Sequence, residues 1–184
     1  MYEVEVKVPA SHREVEERLV DAGANFVDEV VQRDTYYDAP HRDFAETDEA
    51  LRVRRVSRPH EDGETESRIT YKGPLVEAES KTRREIETGV DDGDDADAIF
   101  EALGFEAAAT VEKRRETYTL DDYTVVLDDV VDVGTYVEVE TEVEEDEVES
   151  AREGAYDVLR RLGLDPDEQV RTSYLGMLLA GDRE

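Results

Sequence analysis

The opening stretch Met1-Tyr2-Glu3-Val4-Glu5-Val6-Lys7-Val8 alternates between apolar and ionisable residues, and the fold depends on how its two faces are used. Because successive side chains of a strand point to opposite faces, the three valines share one face and Glu3, Glu5 and Lys7 share the other. The valine face suits packing, whereas an ordinary core would not accept two carboxylates and an ammonium group. Taken alone, the stretch also fits an edge strand with one solvated face. The pattern of the remaining strands has to show whether the charged face is solvated or faces the interior.

The composition is that of one globular domain. The chain has 184 residues, of which 38% are hydrophobic, and this is enough for a core. The absence of cysteine excludes disulfides, thiolate metal sites and cysteine nucleophiles. No apolar run is long enough to span a bilayer, and the N-terminus enters a strand without a signal-like segment. We therefore expect a cytoplasmic protein.

The net charge of the chain is strongly negative. Asp and Glu number 51 against 22 Lys and Arg, which gives a formal net charge of −29. Such a charge repels nucleic acid and anionic membranes, so we expect neither as a partner. Acid spread this evenly over helix faces is typical of a salt-adapted surface, where dissolved ions screen the self-repulsion. The few basic residues are therefore the informative ones.

The alternation of the first strand returns in later extended segments. Over residues 51–56, Arg52 and Arg54 share one face while Leu51 and Val53 share the other. The opposite faces of the charged strands are mostly Val, Ile, Leu and Tyr. The ionisable residues that share one strand face in this way are Glu3, Glu5, Lys7, Arg52, Arg54, Lys72, Arg83, Glu85, Lys113, Arg115, Asp128, Glu138 and Glu140.

Amphipathic helices separate and follow these strands. Ser11 and Glu14 have the spacing of a capping box at the start of the first helix. The acidic run Asp91–Asp95 predicts a turn and a helix N-cap rather than a calcium loop, because its glycine is misplaced for an EF-hand. A polar loop is predicted over 57–66. Apolar periodicity predicts helices over 11–23, 96–103, 146–162 and 171–179.

A weak internal repeat indicates a duplicated unit. Ala22-Gly23-Ala24 precedes Arg33-Asp34-Thr35-Tyr36, and Leu103-Gly104-Phe105 precedes Arg115-Glu116-Thr117-Tyr118 at nearly the same distance. The chain is therefore predicted to be a single domain of two similar halves, about 1–90 and 91–184. The simplest arrangement is an α+β fold in which antiparallel strands close into a barrel.

The helices determine which way such a barrel faces. Their apolar stripes need a partner, and if they cover the outside of the sheet, the apolar strand faces pack against them. The charged strand faces then line the interior. The alternative is a two-sided sheet whose charges form cross-strand salt bridges in a salt-adapted protein.

A charged interior has specific chemical consequences. Burying an unpaired charge is costly, so the acids and bases must pair or bind a ligand. Rows of Arg and Lys suit a polyphosphate, and clustered carboxylates suit Mg²⁺ or Mn²⁺. Both groups in one cavity predict a metal-bound polyphosphate.

With these residues in place, the chain resembles the CYTH superfamily, the triphosphate tunnel metalloenzymes. Glu3-Val4-Glu5-Val6-Lys7 matches the ExExK motif of that family, and the resemblance extends over essentially the whole chain. Arg83 and Glu85 are placed less securely, because Arg84 takes the basic role if the register slips by one. The resemblance implies a closed eight-stranded antiparallel barrel with helices outside. Later tunnel positions match in order at Arg52, Arg54, Lys72, Lys113, Arg115, Asp128, Glu138 and Glu140.

The same resemblance implies roles for individual residues. Lys7 and Asp128 are the expected catalytic residues, with Asp128 either a metal ligand or a base, and the role of Glu85 stays open. A triphosphate would be bound by Lys7, Arg52, Arg54, Lys72, Arg83, Lys113 and Arg115. One or two Mg²⁺ or Mn²⁺ ions would be bound by Glu3, Glu5, Asp128, Glu138 and Glu140.

Three functions are compatible with this set of residues. Asp34–Asp38, His41–Phe44 and Ala50–Arg52 resemble class IV adenylyl cyclases, which implies conversion of ATP to cyclic AMP and pyrophosphate. The first alternative is a hydrolase of inorganic tripolyphosphate, thiamine triphosphate or another organic triphosphate, and the second is a non-enzymatic polyphosphate or nucleotide binder. The expected partner is a nucleoside triphosphate or inorganic triphosphate, and a homodimer is left open.

Overall fold

The computed structural model describes residues 1–59, 63, 65–76 and 79–181. The strands β1 to β8 are Tyr2–Pro9, Asn25–Asp38, Ala50–Ser57, Glu66–Leu75, Arg83–Val90, Glu106–Leu120, Tyr123–Val130 and Gly134–Val143. The helices α1 to α5 are His12–Asp21, Phe44–Thr47, Gly93–Ala102, Val148–Arg161 and Tyr174–Gly181. Short 3₁₀ helices cover Glu145–Glu147 and Pro166–Glu168. Part of the polar loop predicted over 57–66, including His60, lies outside the described residues.

The eight strands form a closed antiparallel barrel in the order β1-β5-β4-β3-β2-β6-β7-β8. This confirms the predicted fold class. Strand β1 pairs with β8 along its whole length, from Tyr2 opposite Val143 to Pro9 opposite Tyr136. Its pairing with β5 involves only Tyr2 with Arg84 and Glu3 with Arg83. The junction between β1 and β5 is therefore the shortest ladder in the described barrel.

The apolar faces of the strands point outward and are covered by helices. Val6 and Val8 of β1 pack in one fully buried cluster with Leu19 of α1 and with Ala155 and Leu159 of α4. The predicted orientation is confirmed, since the faces that carry Val point toward the helices and the charged faces point inward. No helix in the described part of the chain combines the length and apolarity needed to cross a membrane.

Helix ends follow local capping bonds, and two of them differ from the sequence expectation. The Asp92 carboxylate accepts from the backbone N–H groups of Asp94 and Asp95, as predicted for an N-cap. Ser11 makes no capping bond, so the predicted capping box is wrong. The helix predicted from residue 171 begins at Tyr174, because Ser173 Oγ accepts from the N–H of Gly176. The two similar halves stay a prediction.

We expect Leu159→Ala to lower the free energy of unfolding by about 2–5 kcal/mol, because it opens a cavity where Leu159 is fully buried between α4 and the barrel. Leu103→Ala is the matched control, since Leu103 is 64% exposed and its change should stay within about 0.5 kcal/mol. Urea unfolding measures both. Equal losses in the two variants would contradict the packing described here.

Candidate active site

The barrel interior holds a cavity of about 250 Å³ that is lined by charges of both signs. Every predicted site residue except Asp128 lines it. Its eight acidic residues are Glu3, Glu5, Asp48, Glu49, Glu85, Glu87, Glu138 and Glu140. Its eight basic residues are Lys7, Arg52, Arg54, Lys72, Lys81, Arg83, Lys113 and Arg115. We refer to this cavity as the lumen.

The strand order separates the two kinds of charge within the lumen. The run β3-β2-β6 contributes Arg52, Arg54, Lys113 and Arg115, which form a basic wall. Across the barrel, the run β8-β1 contributes Glu138, Glu140, Glu3 and Glu5, which form an acidic wall. A ligand in the lumen therefore meets cations on one side and mainly carboxylates on the other, where Lys7 of β1 is the exception.

Three carboxylates of the acidic wall come close enough to share a cation. Glu3, Glu5 and Glu140 each offer an oxygen atom, and these atoms lie within 4.8 Å of one another. Burial raises the pKa of Glu140 to about 8, with Glu3 and Glu138 adding to the effect and Arg115 opposing it. The donor set is entirely carboxylate oxygen, which is the chemistry that Mg²⁺ and Mn²⁺ prefer. The residues present therefore fit the hard divalent ion that the family resemblance implies.

Asp128 lies beneath the lumen surface and contacts Arg115 rather than the acidic cluster. Arg115 donates from Nε and Nη2 to the two carboxylate oxygens at 2.7 and 2.6 Å, and Tyr174 Oη donates to Asp128 at 2.9 Å. Burial alone would raise the pKa of Asp128, but Arg115 and Lys113 lower it below its usual value. Asp128 is therefore an anion that orients Arg115, and these contacts lend no support to the predicted metal or catalytic role.

Glu138 faces the lumen but is also bound to Arg115, at 2.7 Å from Nη2. Burial would raise the pKa of Glu138, and the Arg115 guanidinium overcomes this and holds it well below the usual range. The close acidic group of Glu3, Glu5 and Glu140 does not include Glu138. In this geometry Glu138 connects the acidic wall, to which it belongs, with Arg115 of the basic wall.

A second buried aspartate, Asp34, was not predicted as a site residue. Arg54 donates to both of its carboxylate oxygens at 2.7 Å, and the two residues are directly opposite on β2 and β3. Arg115 and Asp128 are likewise directly opposite on β6 and β7. The available signal was alternation along β2, which puts Asp34 on the face of Tyr36, a lumen residue. The basic wall thus contains two cross-strand Asp–Arg pairs.

The register at β5 resolves the uncertainty between Arg83 and Arg84. Arg83 and Glu85 line the lumen, whereas Arg84 is on the exposed face. Arg83 donates to the backbone carbonyl of Asp48 at 2.6 Å. Lys72 of β4 lies 2.6 Å from Glu3 and 2.8 Å from Glu85, so it links the acidic wall to β5.

Lys81 and Tyr174 were also missed. Lys81 precedes β5 and follows the alternation of Arg83 and Glu85 into the lumen, where burial lowers its pKa to about 8. Tyr174, the first residue of α5, lies with its ring 4.2 Å from Lys7 Nζ and 4.9 Å from Lys113 Nζ. No strand pattern could have placed Tyr174, because a helix brings it to the lumen.

A larger cleft of about 980 Å³ adjoins the lumen between α2 and α5. Tyr36, Asp48, Glu49 and Ser173 line both spaces, so the two are continuous. The cleft also has apolar lining from Phe44, Leu51, Leu175 and Leu179. It offers an organic group a surface that the ionic lumen does not.

A model of the CYTH domain matches residues 1–174 of this chain. The chain belongs to the CYTH family. Proteins of this family act on triphosphate substrates and are metal-dependent in general.

Individual relatives agree with this membership. The chain is 37% identical over 177 residues to a Methanocaldococcus jannaschii protein named "Putative adenylate cyclase", with 95% of this chain and 97% of that protein covered. It is 39% identical to a Pyrococcus horikoshii protein of known structure, with a TM-score of 0.88 and coverage of 97% and 98%. A CYTH-like Hippeastrum structure, whose report describes a dominant triphosphatase activity, has a TM-score of 0.63 at 17% identity over 98% and 95% of the chains, and it supports the fold alone.

We expect Glu140→Gln to flatten the pH dependence of stability in the metal-free CYTH protein. Below about pH 4.5 Glu140 is protonated in both states; at higher pH the folded state retains a proton that the unfolded chain releases. The stabilisation from this group is therefore lost as the pH rises toward about 8. In EDTA, urea unfolding should show wild type losing on the order of a few kcal/mol over this range relative to the variant.

Glu142→Gln serves as the control, because Glu142 follows on the same strand but is exposed. It should keep the wild-type slope. A Glu140→Gln protein with that same slope would show that burial and the neighbouring carboxylates do not raise the pKa of Glu140 as described.

Proposed function

We propose that this protein is a metal-dependent enzyme acting on a nucleoside triphosphate, with class IV-type adenylyl cyclase as the reaction. The observation that carries the proposal is a cluster of three carboxylates, Glu3, Glu5 and Glu140, facing a wall of four cations across a lumen of about 250 Å³. Structural salt bridges alone would not require three carboxylates to converge within 4.8 Å of one another. A bound cation explains their convergence, and a polyphosphate explains the wall opposite.

The charged residues divide into two binding functions. Glu3, Glu5 and Glu140 would hold Mg²⁺ or Mn²⁺, which supplies charge neutralisation to phosphate oxygens. The basic wall would bind the triphosphate, with Arg54 and Arg115 held in fixed orientation by Asp34 and Asp128. An oriented guanidinium binds phosphate with little loss of side-chain entropy, which favours this arrangement.

The cleft beside the lumen favours a substrate with an organic group. It has about 980 Å³ and apolar residues such as Phe44 and Leu175, and neither feature serves an inorganic polyphosphate. At its junction with the lumen, Asp48 and Glu49 offer acceptors for hydroxyl or amino groups. A nucleoside in the cleft and its triphosphate in the lumen would use both spaces.

In the proposed reaction the ribose 3′-oxygen attacks the α-phosphorus, and the bond from this phosphorus to the bridging oxygen breaks. The electron pair of that bond leaves with pyrophosphate, and the proton of the 3′-hydroxyl is lost to solvent. The cations Lys7, Arg54 and Arg115 would neutralise the charge that develops on the phosphate oxygens. Lys7 keeps its predicted catalytic role, whereas Asp128 acts through Arg115 as a positioning residue.

Hydrolysis of the terminal phosphate is the second candidate. The lumen alone contains the carboxylates and cations that hydrolysis needs, and this observation favours a triphosphatase that would make no use of the cleft. In this reaction water attacks the terminal phosphorus and phosphate leaves. The two candidates differ in which phosphorus faces the nucleophile.

Product analysis separates the candidates. We expect ATP with Mg²⁺ or Mn²⁺ to yield cyclic AMP and pyrophosphate in equal amounts, measured by chromatography in molar salt that screens the acidic surface. Tripolyphosphate is tested in parallel. ADP and phosphate without cyclic product would reject the cyclase in favour of the hydrolase. Tight binding without turnover would reject both in favour of a binding protein.

We expect Glu5→Gln to weaken Mn²⁺ binding at least about tenfold and to lower turnover to a similar degree, because it removes one of three carboxylate ligands. Calorimetry measures the affinity, and product formation measures the rate. Glu142→Gln is the matched control and should leave both unchanged. If Glu5→Gln retained wild-type Mn²⁺ affinity, the assignment of the metal ligands would be wrong.

A further inference from the structure

The lumen and the adjoining cleft meet at a short boundary. A nucleotide with its base in the cleft and its triphosphate in the lumen has its ribose at this boundary, because the ribose links the other two parts. Two of the described residues that line both spaces are apolar, two carry hydroxyl groups and two carry carboxylates. The residues of this boundary are Tyr36, Asp48, Glu49, Ala50, Ser173 and Leu175.

One of the two carboxylates, that of Glu49, is already paired. Its side chain is 4% exposed, and its Oε2 atom lies 2.9 Å from Nη2 of Arg42. Tyr71 Oη donates to the same oxygen at 3.0 Å. The two donors compensate the charge of Glu49 and fix its orientation. Glu49 therefore supports the boundary and is a poor acceptor for a substrate proton.

The other carboxylate, that of Asp48, is available. Its side chain is 49% exposed, and Nη2 of Arg83 approaches its Oδ2 atom at 3.4 Å. Within the described ranges no protein donor bonds to Oδ1. Asp48 thus presents a charged acceptor to the place where the ribose of a bound nucleotide lies.

The backbone holds Asp48 at a defined position. Asp48 ends α2 in the left-handed conformation, with φ 54° and ψ 33°, and its N–H donates to the carbonyl of Phe44. Its own carbonyl accepts from Nη1 of Arg83 at 2.6 Å, which connects it to β5. The carboxylate is therefore carried by a residue that is anchored to both α2 and the barrel wall, as a positioned proton acceptor requires.

We propose that Asp48 is a catalytic residue of the cyclisation, with its carboxylate accepting the proton of the ribose 3′-hydroxyl. The 3′-oxygen bonds to the α-phosphorus as this proton moves to Asp48. The bond from phosphorus to the bridging oxygen breaks, and its electron pair leaves with pyrophosphate. Asp48 then releases the proton to solvent, which its half-exposed side chain reaches. The inference rests on the proposed function, because it needs a nucleotide to bring a ribose to the boundary.

The first test removes the base and keeps the shape of the side chain. Asn tolerates left-handed backbone, but the amide of Asp48→Asn cannot take a proton. We expect kcat for cyclic AMP formation to fall about a hundredfold or more while KM for ATP stays within about twofold. Tripolyphosphate affinity, measured by calorimetry, should stay at the wild-type value, because the Asp48 carbonyl still holds Arg83.

Asp132→Asn is the matched control. Asp132 also has a left-handed backbone, with φ 60°, but it is exposed and lines neither the lumen nor the cleft. This variant should keep the wild-type kcat.

The second test measures the contact without turnover. ATP and 3′-deoxy-ATP are titrated calorimetrically in EDTA into wild type, Asp48→Gly and Asp132→Gly. Glycine adopts the left-handed backbone without strain, so Asp48→Gly removes the carboxylate alone. Wild type and Asp132→Gly should bind ATP about tenfold more tightly than 3′-deoxy-ATP, as expected for one hydrogen bond to a charged group. Asp48→Gly should bind the two nucleotides equally.

The outcomes separate this inference from the proposed function. Wild-type kcat in Asp48→Asn, or wild-type discrimination between the nucleotides in Asp48→Gly, would overturn the inference alone. A loss of tripolyphosphate affinity in Asp48→Asn would also overturn it, because Asp48 would then act through Arg83. Absence of cyclic AMP from the wild-type protein would reject the proposed cyclase together with the proton transfer. The comparison of the two nucleotides would still decide whether Asp48 contacts the 3′-hydroxyl.

Discussion

The structure depends on one constraint: a closed sheet that places its ionic side inward must neutralise those charges at close range. An interior with eight acids and eight bases would be unstable if they were distributed without order. Close ion pairs do most of this: Asp34 and Asp128 pair with Arg54 and Arg115 of the basic wall, and Lys72 pairs with Glu3 and Glu85. The apolar faces of the strands point outward and form the surface on which α1 and α4 pack. The same alternation therefore generates both the hydrophobic core and the binding cavity.

Asp34 and Asp128 occupy some but not all of the N–H donors of the arginines they contact, and this leaves the basic wall able to bind a ligand. Asp34 and Asp128 each occupy the Nε and Nη2 positions of one arginine. This leaves Nη1 of Arg54 and of Arg115 without a protein acceptor in the described ranges. The buried aspartates thus fix the guanidinium groups without consuming all their donors. Ion pairing and ligand binding are compatible because a guanidinium has more donors than one carboxylate can accept.

Alternation along the strands predicted most of the lumen residues, whereas closure of the barrel was predicted from the internal repeat and the family resemblance, and its orientation from the amphipathic helices. It placed Arg83 and Glu85 on the lumen face but left Arg84 as an alternative, and it could have included Lys81 and Asp34, which obey the same parity. It could not assign partners, because ion pairing depends on which strands become neighbours. Asp128 shows the difference: its parity is that of a lumen residue, yet Arg115 and Tyr174 cover it completely. Strand alternation could not predict Tyr174 as a lumen residue either, because a helix after the last strand brings it to the cavity.

Among the described residues, the shortest ladder of the barrel lies between β1 and β5, where two residue pairs meet. Lys7 and the proposed metal ligands Glu3 and Glu5 belong to β1, whereas Arg83 is the first residue of β5 and Lys81 lies two residues before it. A polyphosphate bound by residues of both strands would connect β1 to β5 from inside the barrel. Ligand binding and closure of the barrel would then be thermodynamically coupled. The ligand-free protein would open at the β1–β5 junction more readily than the ligand-bound protein.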